Sequence, residues 1–217
     1  MLSVTLYVVE LSIYEEHILA SNKGLVIILS GPSGVGKDTL IDKWTTMNRN
    51  LARLVTCTTR EQRPGERIGV DYHFISEDEF DRMIERNAFL EYKKVMGCHY
   101  GSPLEDLQHM SAMGRDVILK IDVQGALEVK TKLPEAVMIF VQPPSLAVLE
   151  ERLRSRSTEN EDQMQLRLKT ALKEIDEIPN YDYLVTNDIV DRAVHTLNSI
   201  LVAEHSRVGR SRSIVSG

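Results

Sequence analysis

Apolar residues in this chain gather in short unbroken runs, separated by longer amphipathic stretches. Residues 24–30 form one run (Gly-Leu-Val-Ile-Ile-Leu-Ser) that stops at Gly31-Pro32. Residues 116–122 form a second that ends in a carboxylate, 136–141 a third that stops at Pro143-Pro144, and 183–186 a fourth that ends at Asn187-Asp188. Runs without alternation suit strands covered on both faces, as in a parallel sheet. From Lys37 to about Met47 the period changes to that of a helix, with Leu40, Ile41 and Trp44 on one side. Strands alternating with helices predict an α/β fold with a mostly parallel central sheet flanked by helices.

Two stretches depart from this rhythm. Residues 54–103 mix short polar segments with Gly65, Gly69, Gly97 and Gly101 and read as an inserted subdomain. Within it, Ser76 and Glu79 have capping-box spacing, in which each side chain satisfies a free backbone N–H at a helix start. Phe80, Met83 and Ile84 give the helix that follows an apolar face. Residues 143–178 are strongly helical and densely charged. Leu146, Leu149 and Leu153 mark one apolar side, Arg152, Arg154, Arg156, Arg167 and Lys169 give a basic character, and Pro179 is the expected stop. The main domain is expected at 23–205, with its core in 23–53, 104–142 and 179–205. An extra segment at 1–22 precedes it, and the tail 206–217, which has no apolar period, is expected to be disordered.

Composition narrows the class. Hydrophobic residues are 42% and charged residues 27%, ordinary for a soluble globular protein. The net charge of −6 argues against a nucleic-acid partner, which usually meets a basic excess. Cys57 and Cys98 are far apart and have no metal-ligand spacing, which favours a reducing compartment, here the cytoplasm. No apolar run approaches the roughly 20 residues of a membrane span, and the first residues lack the basic start and cleavage site of a signal peptide.

The chemistry is concentrated after the first strand. Gly31-Pro32-Ser33-Gly34-Val35-Gly36-Lys37 has the Walker A spacing, between a strand and a helix as that motif requires. Glycines let successive N–H groups turn inward around phosphate oxygens, the lysine adds a positive charge, and the helix aims its positive end at the same place. The residue that follows is ordinarily a Ser or Thr that binds Mg²⁺. Here it is Asp38, followed by Thr39. Asp38 could hold the ion directly or through water, or repel the phosphates, and Thr39 could supply the hydroxyl instead. Downstream, Arg60 and Arg63 stand beside glycines and could clamp a phosphate through their planar donor forks. Asp122, at the end of an apolar run, could be a Mg²⁺ partner or a ligand-recognising acid.

Ordered blocks then make a specific pattern. The phosphate loop is followed by Thr58-Thr59-Arg60 with Arg63-Pro64-Gly65-Glu66, Asp71-Tyr72-His73-Phe74, Phe89-Leu90-Glu91-Tyr92, Tyr100-Gly101-Ser102, Ile121-Asp122-Val123-Gln124-Gly125-Ala126 and Pro143-Pro144-Ser145. In these blocks the chain resembles the guanylate kinase family of P-loop nucleoside monophosphate kinases, over roughly residues 24–201. The resemblance implies a P-loop NTPase fold whose insert at 54–103 binds GMP and whose segment 143–178 is a lid. It implies transfer of phosphate from ATP to GMP, and to dGMP, with Mg²⁺ held mainly by the ATP phosphates and Thr39 as a protein ligand. ATP would be bound by Gly31, Pro32, Ser33, Gly34, Val35, Gly36, Lys37, Asp38, Thr39, Arg152 and Asn187. The GMP phosphate would be held by Arg60, Arg63, Tyr72 and Tyr100. Glu91 and Asp122 would accept from the guanine N–H groups, and Thr56 and Ser102 would donate to its O6. Lys37, Arg60, Arg156 and Arg167 would act on the moving phosphoryl group, whereas Arg154 reads as a surface ion-pair partner.

The same resemblance suggests a monomer or homodimer. Lys120 stands where relatives often carry an acid, so it could add a cation near the phosphates or pair with Asp38. Two rival readings are a non-catalytic protein-binding relative and a P-loop kinase acting on a sugar phosphate. Lys37, Arg156 and Arg167 weigh against the first, and the two acids with two hydroxyls weigh against the second.

Overall fold

Strand β1 (Val26–Ser30) is the centre of a parallel sheet, pairing with β7 (Asp116–Lys120) on one side and β8 (Val137–Gln142) on the other. The computed structural model describes residues 24–95, 97–155 and 161–208. Strands β2 (Leu51–Arg53) and β9 (Tyr183–Thr186) complete this sheet at its two edges, in the order β2-β7-β1-β8-β9. The unbroken apolar runs are explained by the two covered faces. Ile27 and Leu29 join Leu40 and Trp44 of α1 (Lys37–Met47), together with Val194 and Leu197 of α7 (Val190–His205). Ile28, between them, turns to the opposite face with Leu119, Met138 and Val129. That second face is covered by α3 (Leu104–Ala112) and α4 (Val123–Lys132). At the edge, Val185 of β9 is buried while Leu184 is exposed, so the last run is only half covered.

The insert is a second sheet of β3 (Cys57–Thr58), β4 (His73–Phe74), β5 (Phe89–Val95) and β6 (Cys98–Pro103), ordered β4-β3-β6-β5. Phe80 of α2 (Glu77–Glu85) is fully buried there, stacked on Phe89 at 4.4 Å and on His99 at 5.0 Å between ring centroids. The capping box forms by half. Ser76 Oγ accepts from the Glu79 N–H at 3.2 Å, but the Glu79 carboxylate turns forward to Arg82, a charged partner one turn on, instead of back to the Ser76 N–H.

The charged segment gives α5 (Leu146–Arg154) and α6 (Glu161–Ile175). Leu149 and Leu153 pack with Met164 and Ala171, but Leu146 is exposed, because it occupies the first helical position ahead of the turns that α6 covers. Helix α6 stops at Ile175, short of the expected Pro179, which lies within a 3₁₀ turn at Ile178–Asn180. Arg154 pairs with Glu150 and Glu161 on the surface, as expected. The segment 1–22 lies outside the described residues, as does the expected tail from 209 onward; Ser206–Val208 follow α7. Cys57 and Cys98 are free thiols. Among the described residues no helix is long and apolar enough to cross a membrane.

Candidate active site

The parallel registers bring Leu29 beside Lys120, so the chain leaves β1 and β7 at the same edge of the sheet, the edge where open α/β sheets bind ligands. The phosphate loop turns there into α1, whose first residue is Lys37. Two glycines are required by what lies behind them. Gly36 has φ +97°, and a Cβ there would sit 2.6 Å from Asn187 Nδ2; Gly34 has φ +83°, and a Cβ would sit 2.7 Å from Leu153 Cδ2. The loop is braced from behind. Asn187, buried at 3% exposure, donates from Nδ2 to the Val35 carbonyl at 2.8 Å, and Arg152 donates to the same carbonyl at 3.2 Å and to the Asn187 carbonyl at 3.0 Å. A carbonyl held in this way cannot swing toward an anion. Lys37 Nζ donates to the carbonyls of Gly31 and Pro32. Burial pushes its pKa down to about 8, against Glu174, which pulls it up. Arg167 reaches the loop from α6, donating to Ser33 Oγ at 3.0 Å.

The loop forms one wall of a cleft of about 470 Å³. Thr56, Tyr72, Tyr100, Glu91 and Asp122 stand across it. Glu91 is only 5% exposed and accepts from Ser102 Oγ at 2.5 Å. Burial pushes its carboxyl above the ordinary range, and Ser102 and Lys93 oppose that rise. Asp122 caps α4, its Oδ1 accepting from the Gly125 N–H at 2.9 Å. A Cβ on Gly125 would lie 3.3 Å from Glu91 Oε2 and 3.3 Å from Asp122 Oδ1, so this glycine lets the two acids converge. Arg60 lies over the Tyr72 ring at 5.4 Å and donates to Glu66 Oε1 at 2.7 Å.

The sequence matches the guanylate kinase family over residues 23–204. Named guanylate kinases from Caldanaerobacter subterraneus (45% identical, covering 88% of this chain and 93% of that one) and Desulfitobacterium hafniense (44%, covering 92% and 100%) are similar along nearly their whole lengths. The chain belongs to the guanylate kinase family. A crystal structure of guanylate kinase from Anaplasma phagocytophilum superposes with a TM-score of 0.71 at 32% identity, covering 87% of this chain and 89% of that one.

Within the guanylate kinase frame, most of the residues expected from sequence line one cleft; Pro32, Arg60 and Arg167 do not line it themselves, and Thr39, Ser102, Arg63, Arg152 and Asn187 take other places. Thr39, expected at the metal, is exposed and outside the cleft wall, whereas Asp38 lines it; one step along a helix turns a side chain by about 100°. Ser102 lies behind Glu91 and donates its hydroxyl to it, so here it orients the acid. Arg63 is exposed and away from the cleft wall, and its backbone N–H donates to Glu66 Oε2 at 2.8 Å. Arg152 and Asn187 support the phosphate loop through its Val35 carbonyl. Arg156 lies outside the described residues.

Asp38 accepts from Lys120 at 2.6 Å and from Arg53 at 3.3 Å; burial acts to raise its pKa, and these two cations outweigh it, holding the carboxyl below its ordinary range. Of the two roles left open for Lys120, this is the pairing. Lys93 and Glu174 also line the cleft and were missed. Lys93 was legible in principle, since it is two residues beyond Glu91 and so shares its face of β5. Glu174 falls seven residues after Arg167, near the same face of α6, but no local motif marks it.

Proposed function

We propose that this chain transfers the terminal phosphoryl group of ATP to GMP, forming ADP and GDP. The observation that carries the reading is a braced phosphate loop facing, across one cleft, two carboxylates that converge over Gly125. Guanine presents a ring N–H and an exocyclic amine beside O6, a pattern that suits two acids and a hydroxyl. Adenine would leave an acid unpaired, a mismatch that can discriminate by about four to five orders of magnitude.

In this reading the loop N–H groups and Lys37 hold the donor phosphates. Arg60, with Tyr72 and Tyr100, holds the acceptor phosphate, and Arg63 joins when the insert closes. Glu91 and Asp122 accept from the base, with Thr56 donating to O6 and Ser102 fixing Glu91. The acceptor oxygen is already anionic near neutral pH, so the protein needs no general base; its task is alignment and charge neutralisation. Arg167 contributes from α6 and Arg156 from the segment beside it, and lid closure excludes water that would compete for the phosphoryl group. Magnesium bound with ATP would neutralise phosphate charge. Asp38, a hard oxygen donor at the mouth of the loop, would hold such an ion directly or through water with Oδ2, the oxygen that Lys120 and Arg53 leave unengaged. We place residues 54–103 as the acceptor-binding unit and 143–178 as the lid of a cytoplasmic enzyme, monomer or homodimer, that returns GMP and dGMP to the diphosphate pool.

A panel of GMP, dGMP, AMP, CMP, UMP and a ribose bisphosphate, each with MgATP, tests the reading. Saturable transfer confined to the guanine nucleotides is expected. Transfer to AMP at a comparable rate, or none to GMP, would refute it.

A further inference from the structure

Lys93 is ion-paired with Asp122 Oδ2 along the acceptor wall of the cleft. Oδ1 of the same carboxylate already accepts from the Gly125 N–H, so the oxygen facing Lys93 is the one left for a ligand. The ammonium therefore stands where a donor group of the base would stand. It also shares the cleft with two further acids. Glu91 lies on its own face of β5, and Glu174 reaches the same cleft from α6. Both favour its charge against the burial that opposes it. Glu174 in turn feels Lys37 of the phosphate loop and Lys93 of the acceptor wall, and its helix carries Arg167, which touches Ser33.

We propose that Lys93 is a positioning residue that couples acceptor binding to the lid. With the base site empty it neutralises Asp122. An arriving guanine takes Asp122 Oδ2 and releases the ammonium, which then pairs with Glu174. That new pair draws α6 toward the acceptor wall and relieves the attraction of Glu174 for Lys37, freeing the loop lysine for the donor phosphates. Acceptor and donor thus bind with positive coupling, and coupling of this kind must act equally in both directions. The proposal rests on GMP being the acceptor.

Titration calorimetry of a non-hydrolysable ATP analogue with Mg²⁺, in the absence and presence of saturating GMP, tests it on the full chain. In the unmodified protein GMP is expected to tighten analogue binding by roughly fivefold or more. Lys93→Met is expected to bind GMP alone more tightly, because a competitor for Asp122 is gone, while losing the tightening of the analogue. Glu174→Gln should lose the tightening too, the double variant should lose no more than either single one, and Lys93→Arg should restore it. Undiminished coupling in Lys93→Met, additive losses in the double variant, or weaker binding of GMP alone by Lys93→Met overturns the proposal. Absence of phosphate transfer to GMP by the unmodified protein is a different result, and it removes the acceptor assignment itself.

Discussion

Lys120 Nζ, at the end of β7, lies 2.6 Å from Asp38 Oδ1, in the first turn of α1, so a cation and an anion meet at the mouth of the phosphate loop. An unpaired carboxylate there would repel a triphosphate. Replacing Lys120 by Met is expected to raise the KM for ATP, replacing Asp38 by Asn to change it less, and the double variant to recover part of the loss. Because the Asp38 side chain is 55% exposed, solvent screening limits the coupling energy to about 1 kcal/mol. A double-mutant cycle on kcat/KM for ATP measures it, and strict additivity would dissolve the pair as a functional unit.

Lys37 gives a pH signature. The ammonium is the form that binds phosphate, and burial has brought its pKa to about 8, with Glu174 and Asp38 opposing the fall. As pH rises through about 8 the free protein loses this proton, so kcat/KM for ATP is expected to fall there, while kcat holds to higher pH because bound phosphates retain the proton. The pH profile of Lys37→Ala should lack this limb, and its turnover should fall by about a hundredfold or more.

Glu91→Gln separates the two substrates. The amide keeps one acceptor but places donors against guanine donors, so the KM for GMP is expected to rise by about two orders of magnitude while that for ATP changes by less than about threefold. Steady-state kinetics with each substrate varied in turn reads this directly. Equal losses for both substrates would contradict a role in base recognition.

Asn187→Ala removes the hydrogen bond to the Val35 carbonyl from a site that is 3% exposed. Because Arg152 still donates to the same carbonyl, the loss is expected to be about 0.5–1.5 kcal/mol, measurable as a lower midpoint in urea. The KM for ATP is expected to rise alongside, since the loop loses part of its brace. A stability loss with ATP binding untouched would limit Asn187 to structural support.

The parts legible from sequence were those written in consecutive residues. The strand before the loop, the loop and α1 from Lys37 to Met47 follow from period and glycine placement alone. The second sheet was readable only as an interruption, because β3 and β4 are two residues each and carry no period. The face of Leu146 was misread, since angular position on a helix does not say how far the partner helix extends. Glu174 and the bracing role of Arg152 were invisible for a related reason. Each depends on which distant segment folds against it, and a charged residue on an amphipathic helix gives the same local signal whether it meets water or a lysine.

The brace behind the loop ties an early segment to a late one. Val35 is translated long before Arg152 and Asn187, the two side chains that fix its carbonyl. A nascent chain halted before β9 would display the whole glycine-rich motif with Arg152 already made and Asn187 still missing. The side-chain support of the Val35 carbonyl is therefore complete only once residues 152 and 187 have both folded against it.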